Sequence, residues 1–279
     1  MRRGYHRAMD RPVIGFLSDF GTDSAAAICR GVMLSIARDA QIVDIDHGVR
    51  KFAIRDGAFL LWTALPWLPV GVHVAVVDPG VGTARRPVAL RVDRGDILVG
   101  PDNGLLRPAA ERLGGIAEAR TLENSGLMLE HPSSTFHGRD VFAPVAAHLA
   151  AGAAFEDIGP VVDPVALVEL AFPGPRLEDG VLAVEVLYVD SFGNVRLSAR
   201  PADLPEIRWG LSWFELDAGD GMPVRRLPLV RTFGDVAAGE PLLYEDSNGL
   251  LAIGVNQGNA AASLGLASGR TARLRLAQV

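Results

Sequence analysis

An acid and two arginines share one loop in the segment VVDPGVGTARRPVAL, residues 76–90. An apolar run that suits a buried strand ends at Asp78, and the proline and glycines of residues 79–82 predict a turn before Arg85 and Arg86. Ligands of open α/β sheets bind beyond the carboxyl ends of the strands, where Asp78 is predicted to lie. A carboxylate can take a proton from water, and a cation can stabilise the hydroxide that forms. The loop therefore has groups that suit general base chemistry, although a loop arginine is more often only a solvated surface charge, and the residues alone leave both possibilities open.

Two other segments place polar side chains in predicted loops. SDFGTD (18–23) puts Asp19 after a strand-like run, where its carboxylate either binds a vicinal diol such as ribose or only caps the turn. STFHGRD (134–140) puts His137 directly before a predicted helix, a position that suits a ligand-facing or a packing histidine. No histidine pair has metal-ligand spacing, and HExxH, CxxC and GxSxG are absent. These absences argue against a zinc site and an α/β serine hydrolase.

Composition restricts the partners. The 279 residues carry a formal net charge of −6 without a basic patch, so nucleic acid is not expected to bind. Cys29 is the single cysteine, which excludes an intrachain disulfide and suits a cytoplasmic protein. The apolar runs fall short of the roughly 20 residues of a membrane-spanning helix, so no membrane association is expected. Residues 1–11 are basic, lack a following signal-peptide core and are predicted to be an N-terminal extension.

The order of the predicted elements indicates two domains. Strands alternate with helices over residues 12–171, which predicts an α/β domain with a mostly parallel sheet. The predicted strands are residues 12–19, 41–46, 72–78, 87–92 and 97–100, and the predicted helices are residues 23–39, 54–68, 104–114 and 140–152. Thr22 or Asp23 is the expected N-cap of the first helix, and Pro66 is expected to end the second. Residues 172–180 form a linker, and short alternating segments over 181–279 predict a smaller all-β antiparallel barrel.

Two polar turns of the predicted barrel are candidate binding elements. VDSFGN (189–194) brings Asp190, Phe192 and Asn194 together, so an aromatic ring and an amide can stack on and read a purine edge. The same residue types also make ordinary hairpins. EDSNGLLAIGVNQGNAAASLG (245–265) contains two polar turns that either hold the charged ends of an amino acid or are likewise only hairpins.

Six motifs in a fixed order resemble one family. SDFGTD, VVDPGVGTARR, GPDNGLL, TFHGRD, DSFGN and NGLLAIGVNQGNAA are similar to segments of the S-adenosyl-L-methionine (SAM) hydroxide adenosyltransferases, hydrolases related to the SAM-dependent fluorinase and chlorinase. The resemblance covers residues 12–275. It implies an α/β domain followed by a β-barrel, with SAM as substrate, adenosine and L-methionine as products, and no metal or organic cofactor. It also implies a homotrimer that binds SAM between the N-terminal domain of one subunit and the C-terminal domain of its neighbour.

The resemblance assigns roles to residues of both domains. In the first domain it implies a catalytic set of Asp78, Arg85 and His137, with Asp19 and Phe52 against the ribose. In the second domain it implies contacts to adenine or methionine from Asp190, Phe192, Asn194, Ser247 and Val255. Of these residues, Asn194 and Val255 match family positions on the adenine side. Asp190 matches the position that binds the methionine ammonium, and Ser247 matches the position that binds the methionine carboxylate. Asn248 departs from the family pattern, because the fluorinase has an arginine there, and Asp190 lies one residue closer to Phe192 than in the fluorinase.

The implied reaction needs an activated nucleophile. A sulfonium leaves C5′ as a neutral thioether, so no general acid is required, and water is the expected nucleophile. Asp78 is expected to orient the water, Arg85 to stabilise its hydroxide character and His137 to complete the hold, with either Asp78 or His137 as the base. The alternatives are a halogenase of the same fold, a non-catalytic SAM- or adenosine-binding protein and a nucleosidase acting at C1′. The halogenases lack the Asp–Arg–His set, since a carboxylate repels a halide.

Overall fold

The computed structural model describes residues 11–204 and 207–277. Of the predicted N-terminal extension, residues 1–10 lie outside the described residues. The chain divides into two units, Met1–Ala171 and Phe172–Val279. Among the helices within the described ranges, none is long and apolar enough to cross a membrane.

The first unit contains a seven-stranded sheet with a parallel core. Its strands are β1 (Val13–Ser18), β2 (Gln41–Asp46), β3 (Val72–Val76), β4 (Pro87–Val92), β5 (Ile97–Pro101), β6 (Ile116–Thr121) and β7 (Val161–Val162). They are ordered β2-β1-β3-β5-β4-β6-β7. The first four in this order pair parallel, and the remaining three pairings are antiparallel. The predicted α/β class with a parallel core is confirmed, although β6 and β7 were not predicted.

Helices cover this sheet on both faces. They are α1 (Ala25–Ile36), α2 (Ile54–Ala64), α3 (Arg107–Arg112) and α4 (Ala143–Ala150). Successive side chains of a strand point to opposite faces. Phe16 accordingly lies in the core shared with α1 and α4, whereas Leu17 lies against Gly57 of α2. As predicted, α2 stops before Pro66, and a single 3₁₀ turn follows it.

The predicted N-cap of the first helix is wrong. The helix begins at Ala25, and Ser24 precedes it without a capping side-chain hydrogen bond. Gly21 has a left-handed backbone with φ 73°, and its N–H donates to the carbonyl of His47 at 2.7 Å. Because this bond ties the SDFGTD segment to the loop after β2, residues 22 and 23 belong to the loop instead of the helix.

A buried charged cluster lies beside β3 and β5, and it gives the fold a pH dependence. The Asp96 carboxylate is fully buried and bonds to His73 Nε2 at 3.0 Å and to Arg94 Nε at 2.7 Å. Burial alone would raise the pKa of Asp96, but the hydrogen bonds from His73 and Arg94 outweigh it and lower that pKa to about 2. A depressed carboxyl pKa stabilises the fold above the pKa of the unfolded state, and this stabilisation disappears as the pH falls through the folded-state value.

We expect Asp96→Asn to lower the free energy of unfolding at pH 7 by about 2–3 kcal/mol, the amount that corresponds to such a shift. Denaturant unfolding at pH 7 and at acid pH measures it, and the gap between wild type and variant should close as the pH falls from about 4 towards 2. Asp93→Asn is the control, because Asp93 is exposed nearby. If the difference in unfolding free energy between wild type and variant did not change with pH, the low pKa of Asp96 would not be the source of the stabilisation.

The second unit is an antiparallel, nearly closed barrel. Its elements are β8 (Arg176–Glu178), β9 (Val181–Val189), β10 (Val195–Leu197), β11 (Trp213–Asp217), β12 (Arg225–Pro228), β13 (Pro241–Glu245), β14 (Leu251–Val255), α5 (Ala260–Leu264) and β15 (Thr271–Leu276). The strand order is β12-β11-β15-β9-β10-β14-β13, with β8 paired to β9. A bridge between Leu229 and Leu243 links the two ends of this order. The predicted barrel class is confirmed, while β8, β12 and α5 were not predicted.

Candidate active site

Three loops of the first unit carry the predicted ribose-binding residue Asp19 and the predicted catalytic residues Asp78, Arg85 and His137. Asp19 directly follows β1, and Asp78 follows the neighbouring parallel strand β3. His137 precedes a π-helical turn, Gly138–Phe142, that runs into α4. Parallel strands end at the same edge of a sheet, which is where ligands of such folds bind. A π-turn is also a frequent feature of functional sites.

Asp78 and Arg85 form a buried, two-point ion pair. Arg85 Nε donates to Asp78 Oδ1 at 3.0 Å, and Arg85 Nη2 donates to Asp78 Oδ2. The side chains are only 5% and 7% exposed, respectively, and the guanidinium lies 5.3 Å from the centre of the Phe142 ring. Arg85 Nη1 is buried, and no group in the described ranges accepts its hydrogens. The pair therefore leaves one buried cationic donor without a protein acceptor among the described residues, next to a carboxylate.

His137 joins this pair as an acceptor. Its Nδ1 lies 3.2 Å from Arg85 Nη2. A guanidinium has donors only, so Nδ1 must accept and the proton of a neutral ring must be on Nε2. Burial and the positive charge of Arg85 lower the pKa of His137 below its ordinary value, against the opposing effect of Asp78. The imidazole is therefore neutral at pH 7 and offers an N–H donor at Nε2.

Two glycines let these loops approach one another. Gly82 has φ 76°, and a Cβ there would collide with the carbonyl oxygen of Ser134 in the loop that carries His137. A Cβ on Gly138 would lie 2.9 Å from the ring of Phe20, next to Asp19. Gly82 and Gly138 therefore allow the three loops to come into contact.

Asp140 fixes the backbone around His137. Its carboxylate accepts the Ser133 N–H at 2.8 Å and Arg139 Nε at 2.6 Å. Burial would raise the pKa of Asp140, but the hydrogen bonds from Arg139 and Ser133 lower it, so the carboxylate is charged. A charged acceptor holds these donors more firmly than a neutral one.

The adjacent arginine is used differently. Arg86 donates through Nε and Nη2 to Asp102 Oδ2 at 3.0 and 2.6 Å, and it also bonds to the carbonyl of Ala166. It makes no contact with Asp78 or His137. Of the two arginines in the loop, Arg85 is therefore the one that joins the acid and the imidazole.

Asp19 and Phe52, the two predicted ribose residues, contact each other. Asp19 is 8% exposed, and its Oδ2 accepts the Phe52 N–H at 3.0 Å. Phe52 has a left-handed backbone, φ 66°, and the residue is 69% exposed. A strained backbone that presents an aromatic ring to solvent is a feature of ligand-binding positions. The second oxygen of Asp19 has no partner among the residues that the structure describes.

The second unit contains a cleft of about 740 Å³, large enough for a nucleoside. The predicted residues Asp190, Phe192, Asn194 and Val255 line it, and Phe192 is 76% exposed. Four further residues line it: Gln257, Gly258 and Asn259, which belong to the second polar turn of the candidate segment 245–265, and Phe233, which the sequence analysis missed. Phe233 lies across Gly254, where a Cβ would come within 2.6 Å of its ring. The cleft thus has two aromatic side chains and several amides.

The two predicted methionine contacts have different surroundings. Asp190 Oδ1 accepts the N–H groups of Phe192 and Asn194 at 3.0 and 2.9 Å, and Oδ2 accepts Asn194 Nδ2 and Arg196 Nη1, both at 3.1 Å. All four acceptor positions of this carboxylate are therefore occupied. Ser247 is exposed in the turn after β13 and is not among the residues that line the cleft.

Comparison with known proteins identifies the family. Residues 14–159 match the SAM hydroxide adenosyltransferase N-terminal domain, and residues 184–273 match the C-terminal domain of the same family. The chain belongs to the SAM hydroxide adenosyltransferase family. The resemblance that the six motifs indicate is thereby confirmed.

The names of individual relatives indicate two different reactions. An (R)-S-adenosyl-L-methionine hydrolase of Salinispora tropica is 46% identical over 266 residues, which cover 94% of this chain and 97% of that protein. A fluorinase of an Actinoplanes species is 33% identical over 291 residues, covering 95% and 97%. The crystal structure of a conserved protein from Thermotoga maritima matches with a TM-score of 0.86 at 35% identity, covering 94% of this chain and 99% of that one.

Proposed function

We infer that this protein hydrolyses S-adenosyl-L-methionine to adenosine and L-methionine. The observation that carries the inference is the contact of Asp78, Arg85 and His137 at the carboxyl edge of the sheet, with one buried guanidinium nitrogen left unpaired. The 46% identity to a hydrolase over nearly the whole chain supports the same reaction. The relative's name specifies the (R) configuration at sulfur, and we propose the same preference here.

The leaving group determines what the protein must supply. The sulfonium departs from C5′ as a neutral thioether, which needs no proton. A water molecule must therefore be aligned with C5′ and made more nucleophilic, because hydroxide is scarce at neutral pH. Alignment of the water with C5′ and removal of its proton both raise the reaction rate strongly. Proton removal alone typically contributes about 10²–10⁴-fold.

The hydrogen-bond roles at the site favour Asp78 as the base. Arg85 Nη1 and His137 Nε2 are both donors, so neither can take a proton from water. Asp78 is the acceptor of the three. We propose that Asp78 accepts the proton of the attacking water while Arg85 and His137 donate to its oxygen and stabilise the developing hydroxide. The proton leaves as the C5′–O bond forms and the C5′–S bond breaks.

Substrate binding is proposed to involve both units. Asp19 and Phe52 are proposed to bind the ribose, and Phe192, Asn194 and Val255 the adenine. Following the family resemblance, we propose a cytoplasmic homotrimer in which the N-terminal unit of one subunit and the C-terminal unit of its neighbour share one substrate. Analytical ultracentrifugation tests the assembly, and a monomer with full activity would contradict it.

Product analysis tests the function. Incubation of SAM containing both sulfonium epimers, with fluoride or chloride present, should give adenosine and methionine, with the (R) epimer consumed first. The carboxylate of Asp78 is expected to exclude halide, so no 5′-halogenated nucleoside should form. A 5′-halogenated product would indicate the chemistry of the fluorinase relatives. Free adenine would indicate a nucleosidase. Tight binding of SAM without any product would indicate a SAM-binding protein.

Asp19→Asn is expected to raise KM by about 10–100-fold with a smaller change in kcat. The variant loses a charge-assisted hydrogen bond to the ribose, and such bonds contribute about 1.5–3 kcal/mol. Steady-state kinetics and adenosine titration by calorimetry measure the change. Asp23→Asn, an exposed acid in the same loop, is the control. An unchanged KM and adenosine affinity would remove Asp19 from the binding site.

A further inference from the structure

Recognition of the methionine end requires a cation that the family pattern does not supply here. This inference rests on the proposed function. The α-carboxylate of the substrate is best bound by a guanidinium. Asn248, at the position where the fluorinase has an arginine, is a neutral amide whose N–H and Nδ2 both donate to Asp246, at 2.8 and 3.4 Å. Ser247, the carboxylate contact that the family resemblance implies, is also neutral, so a charged partner has to be a different residue.

Arg196 lies between two carboxylates, one of which, Asp190, lines the cleft. Its Nε donates to Asp246 Oδ2 at 2.9 Å, and its Nη1 donates to Asp190 Oδ2 at 3.1 Å. Asp190 lines the cleft, and Asp246 immediately precedes Ser247. The Arg196 side chain is 19% exposed. In the part of the chain that the structure describes, Nη2 has no acceptor. The two acids thus hold the guanidinium in place and leave one amino group for a ligand.

The Arg196 guanidinium lies further along β10 than Asn194, one of the proposed adenine contacts. Val195 and Leu197 are fully buried in the barrel core, so Asn194 and Arg196 share the opposite face of the strand. Asn194 lines the cleft, and Arg196 follows it towards the turn that contains Ser247. Burial raises the pKa of the neighbouring Tyr244 to about 12, so this phenol is neutral and adds no charge.

We propose that Arg196 binds the α-carboxylate of the substrate through Nη2 and thereby makes the protein selective for sulfonium nucleosides that retain an amino-acid end. Asp190 and Asp246 position Arg196. Both are already saturated with protein donors, Asp246 by Asn248, Leu250 and Arg196.

The test compares SAM with its decarboxylated analogue, which keeps the sulfonium and the amine but lacks the carboxylate. The wild type should prefer SAM by about 10–100-fold in kcat/KM, the usual effect of a charge-assisted pair. In Arg196→Gln the KM for SAM should rise by a similar factor, whereas kinetics with the analogue should hardly change. Arg196→Lys, which keeps the charge without the planar fork, should recover part of the preference.

Arg200→Gln is the matched control, because the Arg200 guanidinium donates to the carbonyl of Gly249 in the same turn and forms no salt bridge among the described residues, while only its backbone N–H bonds to Asp203. It should keep the wild-type preference. Equal use of SAM and the analogue by the wild type would overturn the proposal without any variant. An equal loss with both substrates in Arg196→Gln, or loss of the preference in Arg200→Gln, would also overturn it. Failure of the wild type to form adenosine from SAM would instead refute the proposed function.

Discussion

Asp78→Asn should lower kcat by about 10²–10⁴-fold while leaving the affinity for adenosine nearly unchanged. Asparagine has almost the same shape and can still accept a hydrogen bond from Arg85, but it cannot take a proton from water. The side chain is 5% exposed, so bulk water cannot substitute for it easily. Single-turnover kinetics with saturating SAM and calorimetric titration with adenosine separate the two quantities.

Asp102→Asn is the control for this variant. Asp102 is also a buried acid paired with an arginine of the same loop, Arg86, but it contacts neither Arg85 nor His137. We expect Asp102→Asn to lower thermal stability and to keep kcat per folded molecule. Equal rates for Asp78→Asn and wild type would exclude Asp78 as the base.

Arg85→Met should lower kcat by about 10²–10³-fold and destabilise the first unit by about 3–5 kcal/mol. The rate falls because the hydroxide loses its cationic donor. Stability falls because Asp78 remains buried without its ion pair, and His137 Nδ1 loses its donor. Rapid-quench kinetics and denaturant unfolding measure the two effects on the same protein.

The neighbouring Arg86→Met separates these effects. Its side chain is 40% exposed, so breaking its pair with Asp102 should cost less stability, and turnover per folded molecule should be retained. If Arg85→Met and Arg86→Met reduced kcat to the same extent, the loss would reflect the fold of the loop instead of a role of Arg85 in the reaction.

Elements with a strong local pattern could be predicted from the sequence. The predicted strand 41–46 coincides with β2, and the alternation of strands and helices gave the parallel core correctly. By contrast, β6 alternates alanine with charged residues, and β7 has only two residues. Neither has enough apolar character to be distinguished from a loop, because partners in the sheet decide their conformation.

The site could be predicted only where its residues are close in sequence or match the family motifs. Asp78 and Arg85 share one loop, and the spacing of the family motif selects Arg85 over Arg86. Phe233 reaches the cleft from outside the motifs, and Arg196 meets Asp246 fifty positions away. Such contacts depend on the pairing of β10 with β14 and of β14 with β13, and a local sequence pattern does not show which strands pair.

The most direct test of the account is the fate of water oxygen during turnover. SAM is incubated with the protein in ¹⁸O-labelled water, and the products are analysed by mass spectrometry. We predict one labelled oxygen in the 5′-hydroxyl group of adenosine and none in methionine. Unlabelled adenosine, or free adenine with the label on the ribose C1′, would contradict attack by an activated water at C5′.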